Sequence, residues 1–324
     1  MDFRTEIESV SFPFEITQKD RFLNIGSCFS DKFGRYLQDN KLDCFSNPYG
    51  TIFNPISIFR LLNSSITEQP VMNRYLTENN GQWYHYDYHS KLSATSASSL
   101  SHHLEALHKK VRDYLRKTDY LVIALGTAFV YRLKNNQHVV ANCHKKPDDL
   151  FYKELLTQKE IGIRFRQFYE KLKLFNPRIK IIFTVSPVRH TKDTLQGNNL
   201  SKSILRLSCH YFCQDFKDVH YFPAYEILMD DLRDYRFYEE DMIHVNETGQ
   251  KYVIENFKES AFSPDLKQFV DQWQQVKNQL NHRPFQPESE SHQKFLRNLL
   301  NRLEQLGNTI DVEKEKELVK AQLM

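Results

Sequence analysis

The chain has 324 residues with 44 basic and 41 acidic side chains, a formal net charge of +3. This balance, without a long basic run, leaves no electrostatic footprint for binding nucleic acid. Its nine glycines are spread too widely to form the G-x-G-x-x-G turn of a dinucleotide site or the glycine loop of a P-loop.

The chain lacks the patterns of secretion and of membrane insertion. Its N-terminus has no basic region followed by an apolar stretch, and no window approaches the roughly 18 apolar residues of a membrane span. Five cysteines, an odd number without a C-x-x-C pair, fit reduced thiols better than a disulfide framework. We therefore expect a cytoplasmic protein that binds neither membranes nor nucleic acid.

Up to about residue 260, short apolar runs alternate with amphipathic stretches. The spacing predicts strands at Phe22–Ile25, Leu42–Phe45, Tyr120–Leu125, Lys180–Val185 and Val219–Phe222, and helices near 30–39, 55–63, 97–117, 152–175, 200–215 and 245–258. Continuous aliphatic runs suit parallel strands that are covered on both faces. The predicted fold class is α/β, a three-layer α/β/α domain whose central, mostly parallel sheet has about five strands in the flavodoxin-like order.

Two segments interrupt the alternation of strands and helices. One is GQWYHYDYHS at 81–90; the other, at 130–144, predicts a hairpin that turns at Asn135 and Asn136. In the first, His85, Asp87 and His89 alternate and would share one face of a strand. They could bind a metal there, but a polar strand face is the more common outcome.

The composition changes near residue 260, where the chain becomes rich in Gln, Glu, Lys and Leu. We predict a main domain at 1–261 and a helical C-terminal extension at 262–324. Leucines at 296, 299, 300, 303 and 306 follow helical spacing. Their shared face is expected to pack within the same chain, although contact with a partner through these helices stays open, as does the oligomeric state.

The first strand ends in Gly26-Ser27-Cys28, at the sheet edge where open α/β folds bind their ligands. We expect a hydroxyl at this position to be exposed at the sheet edge. Its own backbone N–H and those that follow would point toward the same space and could stabilise an oxyanion. Ser27 is therefore a candidate nucleophile. The alternative is that Ser27 only caps the following helix, and Cys28 is the rival nucleophile.

A second candidate is Asp241-Met242-Ile243-His244, in the last loop before a predicted helix that Asn246 would cap. A hydroxyl nucleophile needs a base, and an imidazole base needs its second nitrogen held in the correct tautomer. An aspartate three residues before the histidine can bend back to supply that hold.

The order of these blocks resembles the SGNH/GDSL hydrolase superfamily, and GSCF at 26–29 resembles its bacterial GSCFA branch. Further strings that resemble the family are NPYGTIFNP at 47–55, LGTAFVY at 125–131, VVANCHKKP at 139–147, TVSPVRHTKD at 184–193 and the segment 221–249. The resemblance implies a serine hydrolase that cleaves an ester of a small molecule or carbohydrate, with Ser27 as nucleophile, His244 as base and Asp241 as its orienting group. It implies no metal and no organic cofactor.

The chain departs from the superfamily at the third block, which usually reads Gly-x-Asn-Asp. Here the sequence is Gly126-Thr127-Ala128-Phe129, so the asparagine that would donate to the oxyanion is missing. Thr127 or Asn142 could replace it, and Gly50 corresponds to the second-block glycine. Each of these residues is a candidate for oxyanion or substrate binding.

Arg189 and His190 follow the fourth predicted strand and are further substrate-binding candidates. Arg189 could pair with an anionic group of the substrate, or equally with one of the acids in the segment 229–241. Two other functions remain open. The same triad would act as an acyltransferase if the site excluded water, and a protein that lost efficient catalysis would bind a carbohydrate or another ligand.

Overall fold

A computed structural model describes residues 4–8, 10–308 and 310–323. Its ten strands are β1 Arg21–Gly26, β2 Asp43–Ser46, β3 Leu76–Asn79, β4 Gln82–His85, β5 Tyr120–Leu125, β6 Phe129–Leu133, β7 Val139–Val140, β8 Phe151–Leu155, β9 Lys180–Val185 and β10 Val219–Tyr221. Its ten α-helices are α1 Cys28–Asp39, α2 Pro55–Ile66, α3 Ala97–Leu115, α4 Gln158–Phe175, α5 Thr194–Asp215, α6 Ala224–Glu226, α7 Glu247–Ala261, α8 Pro264–Leu280, α9 Glu290–Leu306 and α10 Glu313–Lys320. Among the described residues, none of these helices combines the length and apolarity needed to cross a bilayer.

The central sheet has five parallel strands in the order β10-β9-β5-β1-β2. This is the flavodoxin-like order, and it confirms the predicted fold class. The two central predictions, Tyr120–Leu125 and Lys180–Val185, match the observed strands residue for residue. The carboxyl ends of all five strands therefore lie along one edge.

Alternate residues of a strand pack against the two opposite layers of helices. Along β5, Leu121, Ile123 and Leu125 belong to the apolar core on the face covered by α2 to α5. Tyr120 and Val122 belong to the core on the opposite face, with α1 and α7. Because side chains alternate across a strand, an uninterrupted apolar run fills both cores.

Two small antiparallel sheets account for the interruptions in the alternating pattern. β3 pairs with β4, and β6 pairs with β7 as the predicted hairpin requires. The prediction of a helix from residue 152 is wrong at its start, since β8 pairs with β6 and α4 begins only at Gln158. Thr157 and Glu160 form a capping box that sets this start.

The C-terminal helices pack on one another and on the end of α1. Leu296, Leu299 and Leu303 are buried with Trp273 of α8, so the predicted leucine face packs within the same chain. The Trp273 indole donates to the carbonyl of Asp39 at 2.7 Å. An ion pair of 2.8 Å between Lys41 and Glu315 adds a second contact with the main domain.

The turn after β1 depends on a glycine. Gly26 has φ +145°, and a Cβ there would lie 2.1 Å from the carbonyl oxygen of Ala124 on β5. Only glycine is common at such a backbone angle, and only glycine leaves room for the neighbouring strand.

We expect Gly26→Ala to lower the free energy of unfolding by at least about 3 kcal/mol, because it adds backbone strain to a clash with Ala124. Gly81→Ala is the matched control. Gly81 has φ +75° but no atom near its Cβ position, so only about 1–2 kcal/mol should be lost. Urea denaturation measures the free energy of unfolding of both variants. Equal losses in Gly26→Ala and Gly81→Ala would contradict the role given to the contact between Gly26 and Ala124.

Candidate active site

Ser27 is buried at the N-terminus of α1, so the prediction of a hydroxyl exposed at the sheet edge is wrong. Its side chain is 1% exposed, and its N–H donates to the carbonyl of Ala124 at 3.0 Å. The Ser27 hydroxyl accepts the N–H of Phe29 at 3.3 Å, and the Ser27 carbonyl accepts that of Ser30 at 2.8 Å. These contacts make Ser27 the N-cap of α1, as the alternative interpretation of the sequence predicts.

Cys28, the first residue of α1, is half-buried. It lines two adjoining cavities of about 370 and 230 Å³, and His244 lines the same two. Ser27 is not among the residues that line either cavity. Burial, together with the nearby Asp31 carboxylate, raises the pKa of the Cys28 thiol. At neutral pH this side chain is therefore a protonated thiol.

The loop after β2 is tied to the same turn. The Asn47 side chain accepts the N–H of Gly26 at 2.8 Å through Oδ1 and donates to Asp31 at 2.7 Å through Nδ2. Thr51 donates to the other oxygen of Asp31 at 3.2 Å. These bonds fix the first turn of α1 against the second strand's loop.

Asp241 and His244 form the predicted pair. Asp241 Oδ2 lies 2.6 Å from His244 Nδ1, and Oδ1 accepts the N–H groups of Ile243 and His244 at 2.9 Å each. A carboxylate can only accept, so Nδ1 carries the proton and Nε2 is left as an acceptor. The hydrogen bond to His244, with these backbone bonds, lowers the pKa of Asp241 to about 2. Asn246 caps α7 just after this loop, as predicted.

Glu239 stands beside this pair. Ligand atoms of Glu239, Asp241 and His244 lie within 4.8 Å of one another, which is the spacing of a metal-binding group. Glu239 and Asp241 are exposed, and the carboxylate of Asp241 is already engaged by three hydrogen bonds. A cation would compete with those bonds for Asp241.

The larger of the two cavities lies at the carboxyl edge of the central sheet. Besides Cys28 and His244, it is lined by groups from several strand ends and from the hairpin β6–β7, among them Phe53, Asn54, Thr127, Phe129, Tyr131, Lys153, Arg189 and His190. A groove of about 570 Å³ elsewhere is lined mainly by α2 and α4 and holds neither Cys28 nor His244. The candidate catalytic residues Cys28 and His244 therefore meet in the cavity of about 370 Å³ and not in the larger groove.

Three of the five predicted substrate residues line this cavity, namely Thr127, Arg189 and His190, whereas Gly50 and Asn142 do not. The N–H of Gly50 is already donated to the carbonyl of Asn47 at 2.8 Å. Asn142 accepts the N–H of His144 at 2.8 Å. The N–H of Gly50 and the side-chain oxygen of Asn142 therefore already form hydrogen bonds within their own turns.

Arg189 and His190 have different surroundings. The guanidinium of Arg189 stacks over the ring of Tyr238, 4.2 Å from its centroid. His190 packs edge-on against Phe53, and its Nε2 is buried without a hydrogen-bond partner in the part of the chain that the structure describes. Burial and the neighbouring Lys202 lower the pKa of His190 to about 3, so its imidazole is neutral at pH 7.

Two further groups at this edge, Lys202 and Asn54, are not among the residues that the sequence predicts for the site. Lys202 of α5 is 1% exposed and donates to the carbonyls of Gly126 and Ser186, at 2.7 Å each, which joins the ends of β5 and β9. Asn54 caps α2 by accepting the N–H of Ser57, while its amide nitrogen makes only a long contact of 3.5 Å with a carbonyl. Asn54 before a proline has the sequence pattern of a helix cap, whereas a single lysine within a helical stretch gives no signal for a buried role.

The alternative metal residues His85, Asp87 and His89 line neither of the two cavities that contain His244. His85 closes β4, so Asp87 and His89 fall beyond the strand and do not continue its face. Asp87 forms an ion pair with Arg60 at 2.5 Å and meets His138 at 2.6 Å. Its carboxylate therefore holds the β4 segment to α2 and to the β6–β7 hairpin.

Comparison with curated proteins found no match. Among solved structures, the fold is similar to a carbohydrate esterase family 3 protein from Talaromyces cellulolyticus, at 11% identity and a TM-score of 0.36, over 79% of this chain and 99% of that one. It is similar to an acetyl esterase variant solved with an acetate ion, at 11% identity and a TM-score of 0.37, with the same coverage. The model of the GSCFA family matches residues 21–257, and that of the GSCFA domain protein C-terminal domain matches 273–324. The chain belongs to the GSCFA family.

Proposed function

We propose that this protein hydrolyses an ester by acyl transfer, with His244 as the base and Asp241 as its orienting group. The observation that carries the proposal is the 2.6 Å bond between Asp241 and the His244 ring, in a cavity that also receives the first turn of α1. The bond fixes the tautomer in which Nε2 can take a proton from a nucleophile.

The nucleophile belongs to the start of α1, where Ser27 and Cys28 adjoin. Attack on the ester carbonyl gives an acyl-enzyme and an alcohol, and His244 returns the proton to the leaving oxygen. The side chains of His244 and Asp241 are 42% and 44% exposed. Water therefore has access to the acyl-enzyme, which favours hydrolysis over transfer to another acceptor.

The oxyanion of the intermediate needs donors that are not already used. The N–H of Cys28 heads α1, where no carbonyl of the helix can reach it. The amide of Asn54 lines the same cavity with only a long contact of its own. These two groups replace the asparagine that the third block lacks. Thr127 is less suited, because its N–H donates to Phe53 and its hydroxyl meets Ser201.

The cavity wall fits an ester on a carbohydrate. Phe53, Phe129 and Tyr131 give this wall three aromatic rings, and Tyr131 is 41% exposed. Lys153 and Arg189 add hydrogen-bond donors to the same wall. Sugars present both apolar ring faces and hydroxyls, and this wall matches both.

We expect His244→Ala and Asp241→Asn each to lower kcat/KM for a short acyl ester at least about 10²-fold, since general-base catalysis and its orientation are lost. Steady-state assays with a chromogenic acetate measure the effect. Asp234→Asn is the matched control, because Asp234 is an aspartate that accepts hydrogen bonds within a neighbouring turn. Activity that survives both site variants at the wild-type level would overturn the proposal.

Asn54→Asp should lower kcat at least about 10-fold. It should also lower the stability, because a carboxylate replaces a buried amide that lies 3.5 Å from the carbonyl of Val140. Aspartate caps a helix as well as asparagine does, but it cannot donate to an oxyanion. Thermal unfolding and kcat are compared with those of the wild type. A fully active Asn54→Asp enzyme would show that the amide does not serve the oxyanion.

Tyr131→Ala should raise KM for an acetylated sugar several-fold and leave KM for a plain aryl acetate unchanged, because only the sugar needs a stacking face. Tyr211→Ala is the control, since Tyr211 is equally exposed, at 42%, but lies on α5 outside the cavity. Equal effects on the two substrates would argue against carbohydrate recognition by Tyr131.

A further inference from the structure

We propose that Cys28, and not Ser27, is the nucleophile, so that the acyl intermediate is a thioester. This inference rests on the acyl-transfer function proposed above and names the atom that attacks. It is carried by the positions of the two neighbouring side chains relative to His244.

Ser27 is poorly suited to attack. Its side chain is 1% exposed, and its hydroxyl accepts the N–H of Phe29 as the cap of α1. It is absent from the linings of both cavities that contain His244. For its oxygen to meet a substrate, this buried residue would first have to become exposed.

Cys28 meets the requirements that Ser27 does not. It lines both cavities together with His244 and stands at the first helical position, where its own N–H has no carbonyl partner within α1. A carbonyl carbon that bonds to its sulfur would bring the oxyanion close to that N–H. Nucleophile and oxyanion donor would then come from one residue.

The reaction balances with the groups present. His244 Nε2 takes the proton of the Cys28 thiol as Sγ bonds to the ester carbonyl carbon. The carbon–oxygen bond to the alcohol breaks, and the alcohol leaves with the proton from His244. Water then gives a proton to His244 and bonds to the thioester carbon, the carbon–sulfur bond breaks, and the thiol regains its proton as the acid is released.

The base is needed because the resting sulfur is protonated. Burial and Asp31 keep Cys28 as a thiol near neutral pH. A nucleophile of this kind depends on His244 rather than on a standing thiolate. Ser27 keeps a separate task in this scheme, since its cap fixes the backbone that presents Cys28.

The test traps the acyl-enzyme on the wild-type protein and asks which atom holds it. The protein is mixed with an aryl acetate, quenched in acid and digested with trypsin, which isolates residues 22–32 with both candidates. Half of the sample is treated with neutral hydroxylamine, which cleaves thioesters but leaves ordinary oxygen esters intact. We expect an acetylated 22–32 peptide whose acetyl group is lost on this treatment.

Variants provide the second measurement. Cys28→Ala should lose the adduct and the esterase activity, whereas Ser27→Ala should be less stable by about 1 kcal/mol, as for a lost cap, yet still form the adduct. Cys143→Ala, another half-buried free thiol, is the control and should behave like the wild type.

The outcomes separate the two proposals. An adduct that resists hydroxylamine, or one that persists in Cys28→Ala and vanishes in Ser27→Ala, overturns the thiol nucleophile and leaves the hydrolase function in place. A folded wild-type protein that shows neither adduct nor esterase activity overturns both. A hydroxylamine-sensitive adduct that requires Cys28 supports both.

Discussion

The site depends on one close approach, that of Gly26 to the carbonyl of Ala124 on the neighbouring strand. A side chain at Gly26 would push β1 away from β5 at the point where both strands end. Because the backbone can turn there, the N–H of Ser27 reaches the same carbonyl and α1 starts at once. That start sets which side chain caps the helix and which faces the cavity.

The remaining groups converge because the carboxyl ends of parallel strands share one edge. Lys202 joins the ends of β5 and β9 by donating to the carbonyls that follow them. Asn47 accepts the N–H of Gly26 and so holds the loop after β2 against that turn. The loop before α7 then brings the Asp241–His244 pair to the same cavity. Because Lys202 is buried in this arrangement, the pKa of its ammonium group is lowered to about 7.

The sequence predicts the central fold well because its strands are long aliphatic runs. Tyr120–Leu125 and Lys180–Val185 need no tertiary information to be identified. The sequence predicts a helix where β8 lies, because a half-exposed strand with charged residues resembles the start of an amphipathic helix. Only the pairing of β8 with β6 makes this segment a strand.

The candidate site was predictable in part. The spacing of Asp241 and His244 implied their contact, and Asn246 was correctly expected to cap α7. The choice between Ser27 and Cys28 depends on a shift of a single residue, because successive side chains on a helix point about 100° apart. Which of the two faces the cavity depends on where α1 begins, to a single residue, and sequence patterns do not fix helix boundaries so closely.

The most direct measurement is a crystal structure of the protein after brief exposure to a slowly hydrolysed ester. The account predicts continuous density from Cys28 Sγ to the acyl carbon, with the acyl oxygen near the N–H of Cys28 and His244 still bonded to Asp241. Density that leads instead from Ser27 Oγ, or a His244 ring turned away from an intact acyl group, would contradict it.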